Sequence, residues 1–198
     1  NCTNLKIGAW LNGLNLSVIA YCDEIIILSP SYGHAMRLLE DCFRFAKERK
    51  MEFNPRKSAS LTMTKSGVNC QEKFVIENVQ LSNVDGFEYL GLPFGSSSFI
   101  SDFIEEKWRK VEKSFYSLYG LGCKPMVSNP YLIGFLFKQL CQSIFRHVLD
   151  NILIPNSMLS ELDTRQSLLL KKIIGLKKFT RVSPLYDALK TVDEMPIM

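Results

Sequence analysis

None of the 198 residues belongs to an apolar run of the ~20 consecutive positions that a bilayer-spanning helix requires, so no membrane partner is expected. Histidine is scarce, with only His34 and His147 present. The six cysteines (Cys2, Cys22, Cys42, Cys70, Cys123, Cys141) include no Cys-x-x-Cys pair. Structural zinc needs thiolate or imidazole ligands at close spacing, so a zinc site is not expected. The N-terminus does not read as a secretory leader, which argues against a disulfide framework. The expectation is reduced, mostly buried thiols in an intracellular protein, cytoplasmic, nuclear or both. Net charge is also small: 24 Lys and Arg against 20 Asp and Glu leave +4. Mild basicity permits a nucleic-acid partner without requiring one. The glycines at 91 and 95 lack a following Lys-Ser or Lys-Thr, which excludes a phosphate-binding P-loop. There is no internal repeat and no low-complexity tract.

What is present divides into two halves, 1–97 and 98–198, of a size that supports one domain or two small ones. The expected fold class is α/β in the α+β sense: an antiparallel sheet with a packed helix, then an all-helical region. In the first half, Leu16–Tyr21 and Ile25–Leu28 flank the short acidic break Cys22-Asp23-Glu24 and predict a β-hairpin. Both runs are apolar on both faces, which predicts a central, buried hairpin. Carboxylates at a buried tip are costly unless paired, and a metal ion is one such partner. Ser29-Pro30-Ser31 can cap a helix over Tyr32–Lys50, with Ala35, Leu39, Cys42, Phe43 and Ala46 inward. Further strands are predicted over Ser60–Thr64, Phe74–Ile76, Val79–Leu81 and Phe87–Pro93.

In the second half, Ser101 is the expected N-cap, with Asp102, Glu105 and Glu106 in the first turn, where the helix dipole favours acids. Ile104, Trp108, Val111, Phe115 and Leu118 then form a buried stripe. Asn129-Pro130 opens a second helix, with Ile133, Phe137, Leu140, Ile144 and Val148 inward. A third runs from about Ser157 to Ile174, with Leu162, Leu169 and Ile173 inward and Gly175 as its stop. A short fourth helix is expected near Pro184–Thr191.

Read in order, three segments resemble motifs of the reverse transcriptases of non-LTR (LINE-type) retrotransposons. Ala20-Tyr21-Cys22-Asp23-Glu24-Ile25-Ile26-Ile27-Leu28-Ser29-Pro30-Ser31 looks like motif C, a Tyr-x-Asp-Asp turn followed by an apolar strand. Phe45–Ser58, and within it Phe53-Asn54-Pro55-Arg56-Lys57-Ser58, looks like motif D; Phe87-Glu88-Tyr89-Leu90-Gly91 looks like motif E, the primer grip. Each motif alone is weak to moderate; their order and spacing, followed by helices, carry the resemblance across nearly the whole chain.

The resemblance implies the C-terminal part of a palm, then a helical thumb, of an RNA-directed DNA polymerase. It implies that Asp23 is a metal ligand and that Glu24 stands where the family has its second aspartate. Lys57 matches the lysine thought to help protonate departing pyrophosphate, and Tyr89, Leu90 and Gly91 match the turn that holds the primer 3′ end. The implied cofactor is Mg²⁺ in a two-metal site that clamps the attacking 3′-oxygen and the leaving phosphate. That site would be completed by a motif A aspartate, which is expected upstream of Asn1 in the same polyprotein together with the fingers. The implied partners are an RNA template, a DNA primer and a deoxynucleoside triphosphate. Glu24 departs from the pattern by one methylene, which strains the octahedral geometry that Mg²⁺ enforces.

Blander readings stand beside these. Asp23 and Glu24 are also ordinary turn residues, and Lys57 an ordinary loop lysine. Basic residues cluster at Lys47, Arg49, Lys50, Arg56 and Lys57; at Lys107, Arg109, Lys110 and Lys113; and at Lys171, Lys172, Lys177, Lys178 and Arg181. Most such runs are solvated faces. The resemblance places Lys110, Lys113, Lys171, Lys172, Lys177 and Lys178 in the thumb, where they would touch phosphates without reading sequence. The rival to the enzyme is a non-catalytic, nucleic-acid-binding remnant of a decayed element; a plain helical interaction domain accounts only for the second half.

Overall fold

The computed structural model describes residues 7–65, 67–68, 72–76, 79–181 and 183–184. Cys2, Cys70, the turn at 77–78 and nearly all of the expected helix at Pro184–Thr191 lie outside the described residues. The chain divides into two compact units, Asn1–Phe87 and Glu88–Met198.

The first unit opens with a hairpin of β1 (Trp10–Leu11) and β2 (Leu14–Asn15). Its two-residue loop, Asn12-Gly13, has positive φ at both positions (49° and 81°), the type I′ geometry that suits the twist of paired strands. The Asn-Gly dipeptide is a strong hairpin signal, and the sequence reading passed over it. β3 (Val18–Tyr21) then pairs antiparallel with β4 (Glu24–Ile27), with Val18 opposite Ile27 and Tyr21 opposite Glu24. The expected hairpin is present, but it is neither central nor buried. Ile19 is 38% exposed, Ile25 42% and Tyr21 60%. Among the described residues no third strand bonds to either edge, and helix α1 (Tyr32–Glu48) packs against β4.

α1 starts where the sequence indicates, with the Ser31 hydroxyl accepting from the His34 N–H. Leu38, Cys42 and Ala46 are buried. The remaining strands are two residues long. β5 (Ala59–Ser60) pairs in parallel with β10 (Ser82–Asn83), β6 (Met63–Thr64) pairs antiparallel with β7 (Gly67–Val68), and β8 (Val75–Ile76) pairs antiparallel with β9 (Val79–Gln80). The strand expected over Ser60–Thr64 is broken at Leu61-Thr62 between two different partners.

The second unit begins within the hairpin of β11 (Gly86–Tyr89) and β12 (Leu92–Gly95). In this hairpin β12 packs on α2 (Ser97–Gly120). Among the described residues the β-structure is thus six separate two-stranded pairs in place of one sheet.

α2 carries the expected stripe, with Ile104, Trp108, Val111, Phe115 and Leu118 all buried, joined by Phe103. Its N-cap is Ser96, whose hydroxyl accepts from the Phe99 N–H at 3.1 Å. Ser101 therefore lies inside the helix, and Asp102, Glu105 and Glu106 fall beyond the first turn. Local capping chemistry is satisfied by either serine; the turn after β12 decides for Ser96.

Asn129 caps α3 (Pro130–Phe137) as expected, accepting from the Tyr131 N–H at 2.9 Å. The helix does not then run straight on. A π-helical turn, Lys138–Gln142, separates it from α4 (Ser143–Leu149). A π turn takes up more residues than an α turn, so the inward stripe slips by one position. The buried residues are Ile133, Phe137, Cys141, Phe145 and Val148, whereas Leu140, expected inward, is exposed.

α5 (Asn156–Ile174) buries Leu162, Leu169 and Ile173 as expected and ends on Gly175 in the left-handed region (φ 86°). The Leu176 N–H reaches the Lys171 carbonyl at 2.8 Å and the Gly175 N–H that of Lys172 at 3.3 Å, a Schellman closure. The core of this unit comes from α2 to α5, with Phe115, Leu118, Ile133, Leu170 and Ile173 fully enclosed. No helix among the described residues is long and apolar enough to cross a membrane.

Candidate functional site

Asp23 and Glu24 sit together at the tip of the β3–β4 hairpin. The loop is two residues, Cys22-Asp23, and Cys22 adopts φ 53°. A positive φ at the first loop position suits a tight hairpin, but for a residue with a Cβ it costs roughly 1–2 kcal/mol. Strain of this kind persists only where the flanking pairing over-determines it, and it gathers at functional turns. Both acids are exposed, and among the described residues neither is ion-paired. An exposed tip leaves the carboxylates hydrated, so the burial cost expected of them does not arise.

Lys57 is set by a turn of its own. Asn54-Pro55 ends the segment after α1, and the Lys57 N–H and the Ser58 hydroxyl both donate to the Asn54 carbonyl, at 3.0 and 2.9 Å. Lys57 is exposed and makes no ion pair with Asp23 or Glu24. The structure thus brings the two acids together but does not bond Lys57 to them. Among the described residues no group of three His, Cys, Asp or Glu side chains converges as a metal cage.

In the second unit, Tyr89, Leu90 and Gly91 form the tip of the β11–β12 hairpin. Leu90 (φ 50°) and Gly91 (φ 82°) make a second two-residue loop with both positions at positive φ. Glycine tolerates this; leucine does so at roughly 1–2 kcal/mol. The Leu90 carbonyl accepts a hydrogen bond from Nε2 of His147 on α4 at 3.0 Å. A carbonyl only accepts, so Nε2 carries the proton. Such a bond nets about 0.5–1.5 kcal/mol, the same order as the strain it offsets. The Tyr89 hydroxyl is buried and has no hydrogen-bond partner among the described residues. Glu88, one residue earlier, lies 3.4 Å from the Lys107 ammonium on α2. The sequence does not mark His147, since a contact with Leu90 across 57 positions has no local signature.

The six lysines of the helical region part company. Lys110 is tied to Glu106 one turn back at 2.8 Å; the bond raises the lysine's pKa and lowers that of the carboxyl. Lys172 donates to the Tyr116 hydroxyl at 2.9 Å and lies over that ring, 4.8 Å from its centroid; the bond raises its pKa. Tyr116 in turn stacks on Tyr119. Lys113, Lys177 and Lys178 are exposed, and among the described residues none has an ion-pair partner. Lys171 does not belong with them. It is 6% exposed, and its ammonium donates to the Lys178 carbonyl at 3.2 Å, bracing the chain that follows the α5 terminus. The resemblance implied phosphate contact for Lys171, but the return of Leu176–Lys178 covers it.

The chain matches no family model, no curated protein and no solved structure.

Proposed function

We propose that this chain is a palm-and-thumb segment of an RNA-directed DNA polymerase of retrotransposon type, extending a DNA primer on an RNA template. The observation that carries the reading is the Tyr21-Cys22-Asp23-Glu24 turn: two adjacent carboxylates at a hairpin tip, Asp23 in the two-residue loop beside the strained Cys22 and Glu24 at the start of β4, followed in order by the Asn54–Ser58 turn and the Tyr89–Gly91 turn. The localised helices after residue 97, with Lys113, Lys177 and Lys178 open to solvent, suit contacts with the phosphates of a template–primer duplex.

The donor set fits Mg²⁺ in part. This ion is commonly held by one or two carboxylates plus substrate phosphates, and Asp23 and Glu24 are adjacent, exposed and, among the described residues, without an ion pair. When bound, the metal supplies charge stabilisation for phosphoryl transfer. Asp23 serves as the principal ligand and Glu24 as the weaker one, its longer side chain being held less rigidly. Lys57, exposed on its turn, supplies a proton to the leaving group when substrate draws it in. Tyr89, Leu90 and Gly91 support the primer 3′ end.

Primer extension on an RNA template, by the polyprotein that carries this segment, tests the reading. Asp23→Ala should abolish Mg²⁺-dependent synthesis, and equal extension by both proteins would sink the role of Asp23. The second reading, a nucleic-acid-binding remnant without catalysis, draws on Glu24 in place of an aspartate and on the absence of a three-ligand cluster among the described residues. It expects salt-sensitive duplex binding with no synthesis.

A further inference from the structure

We infer that His147 is the positioning residue for the Leu90–Gly91 turn, holding the Leu90 carbonyl with its Nε2–H while its ring fills the space beside Gly91. Only the object of that positioning, the primer 3′ end, rests on the function proposed above; that His147 holds the turn rests on geometry.

Three observations converge on the same pair of groups. The first is the 3.0 Å bond from the imidazole to the Leu90 carbonyl. The second is steric. A Cβ at position 91 would lie 3.3 Å from Cδ2 and 3.5 Å from Nε2 of His147, so the ring packs on Gly91 closely enough that a side chain there would push it by a few tenths of an ångström. The third is the strain at Leu90, whose φ of 50° a residue with a Cβ leaves when nothing holds it there. Both ends of the bond are mounted on rigid elements. α4 is anchored by Phe145 and Val148 in the core, and the Asn151 side-chain amide donates back to the His147 carbonyl at 2.8 Å. The hairpin is anchored by β12 on α2 and by Glu88 at Lys107. A turn that must present a primer terminus needs its backbone fixed in one conformation, because small displacements of a reacting end cost rate steeply. His147 contacts the turn and no reacting atom, so it acts through Leu90.

The test uses the whole 198-residue chain with His147→Gln, which retains a side-chain N–H donor, and His147→Phe, which retains a ring without one. The Leu90 carbonyl and the Gly91 N–H belong to one peptide group, so the Gly91 amide resonance reports loss of the bond directly. The Phe variant should shift that resonance and leave the amides of Leu169 and Ile173 in place; the Gln variant should stay close to wild type. In parallel, an RNA–DNA template–primer with 2-aminopurine at the primer 3′ end reads how that end is held. Its affinity should fall roughly tenfold in the Phe variant and recover in the Gln variant, while a blunt duplex binds all three alike. An unmoved Gly91 resonance in the Phe variant overturns the positioning role. A shifted resonance with no 2-aminopurine response even in wild type upholds the positioning role and overturns the primer reading. Equal 3′-end affinity in wild type and the Phe variant overturns the link between the turn and the primer.

Discussion

Gly8 lies so close to Ser17 that a Cβ at position 8 would fall 2.0 Å from the serine Oγ and 2.5 Å from its Cβ. The contact matters because Ser17 is the base of the acidic hairpin. It is 1% exposed, its hydroxyl donates to the Ile7 carbonyl at 3.0 Å, its N–H donates to the Asn15 side chain, and its carbonyl accepts from Leu28 at 2.8 Å. Gly8→Ala meets both this clash and the positive φ of 90°. Overpacking and a left-handed backbone each cost roughly 1–3 kcal/mol, so the expected loss is about 2 kcal/mol or more. Urea unfolding followed at the first unit checks it, with the amides of Val18–Ile27 losing exchange protection first.

Leu90→Asn should stabilise the second unit. Asn-Gly is the preferred pair for a loop with both central residues at positive φ, and Leu90 is exposed, so little burial is forfeited. The carbonyl that His147 holds is retained. A gain of about 0.5–1 kcal/mol is expected, read as a raised denaturant midpoint at unchanged slope. A lower midpoint would show that the leucine side chain is packed in a way its exposure does not suggest.

Phe115 is fully enclosed and meets Phe137 and Tyr119 edge-on. Phe115→Ala therefore opens a cavity between α2 and α3, at an expected cost of about 3–5 kcal/mol. Guanidinium unfolding should show this loss, whereas Leu153→Ala, at a fully exposed residue, should stay within about 0.5 kcal/mol.

Cys22 is exposed on the hairpin tip, while Cys42, Cys123 and Cys141 are buried. Burial also pushes the Cys141 thiol up, against a smaller opposing effect of its bond to Ser114, which reduces its thiolate further. Alkylation followed by peptide mapping should label Cys22 in the native chain at least tenfold faster than these three, with Cys141 reacting only as the second unit unfolds.

The Glu106–Lys110 pair has a defined pH signature. Its hydrogen bond to Lys110 is the main cause that lowers the Glu106 pKa. A carboxyl depressed on folding contributes stability above its unfolded pKa and loses it as pH falls through the folded one. The effect should therefore fade only in acid, below the usual carboxylate range. Carbon-detected titration of Glu106 should show the depressed value in wild type and its recovery in Lys110→Gln. Because both groups are exposed, global stability should scarcely change.

Much of the second unit was legible residue by residue. The α2 stripe, the Asn129-Pro130 start and the Gly175 stop each depend on neighbours within one or two turns, where periodicity and capping decide the outcome. The existence of the β3–β4 hairpin and the placing of Asp23 and Glu24 side by side at its tip were legible for the same reason. Features set by contacts far apart in the chain were not. The π turn moved burial from Leu140 to Cys141, and the folding back of Leu176–Lys178 enclosed Lys171. The apolar character of Ile19 and Ile25 implied cover from both sides, but burial depends on what packs there, and both remain exposed although α1 packs against β4. By itself the sequence determined which residues can turn, cap or line a helix, since those are local properties of backbone and side chain. The tertiary structure alone decided which of them are held in place: His147 reaches Leu90 across 57 residues because α4 and the β11–β12 hairpin are both packed against α2.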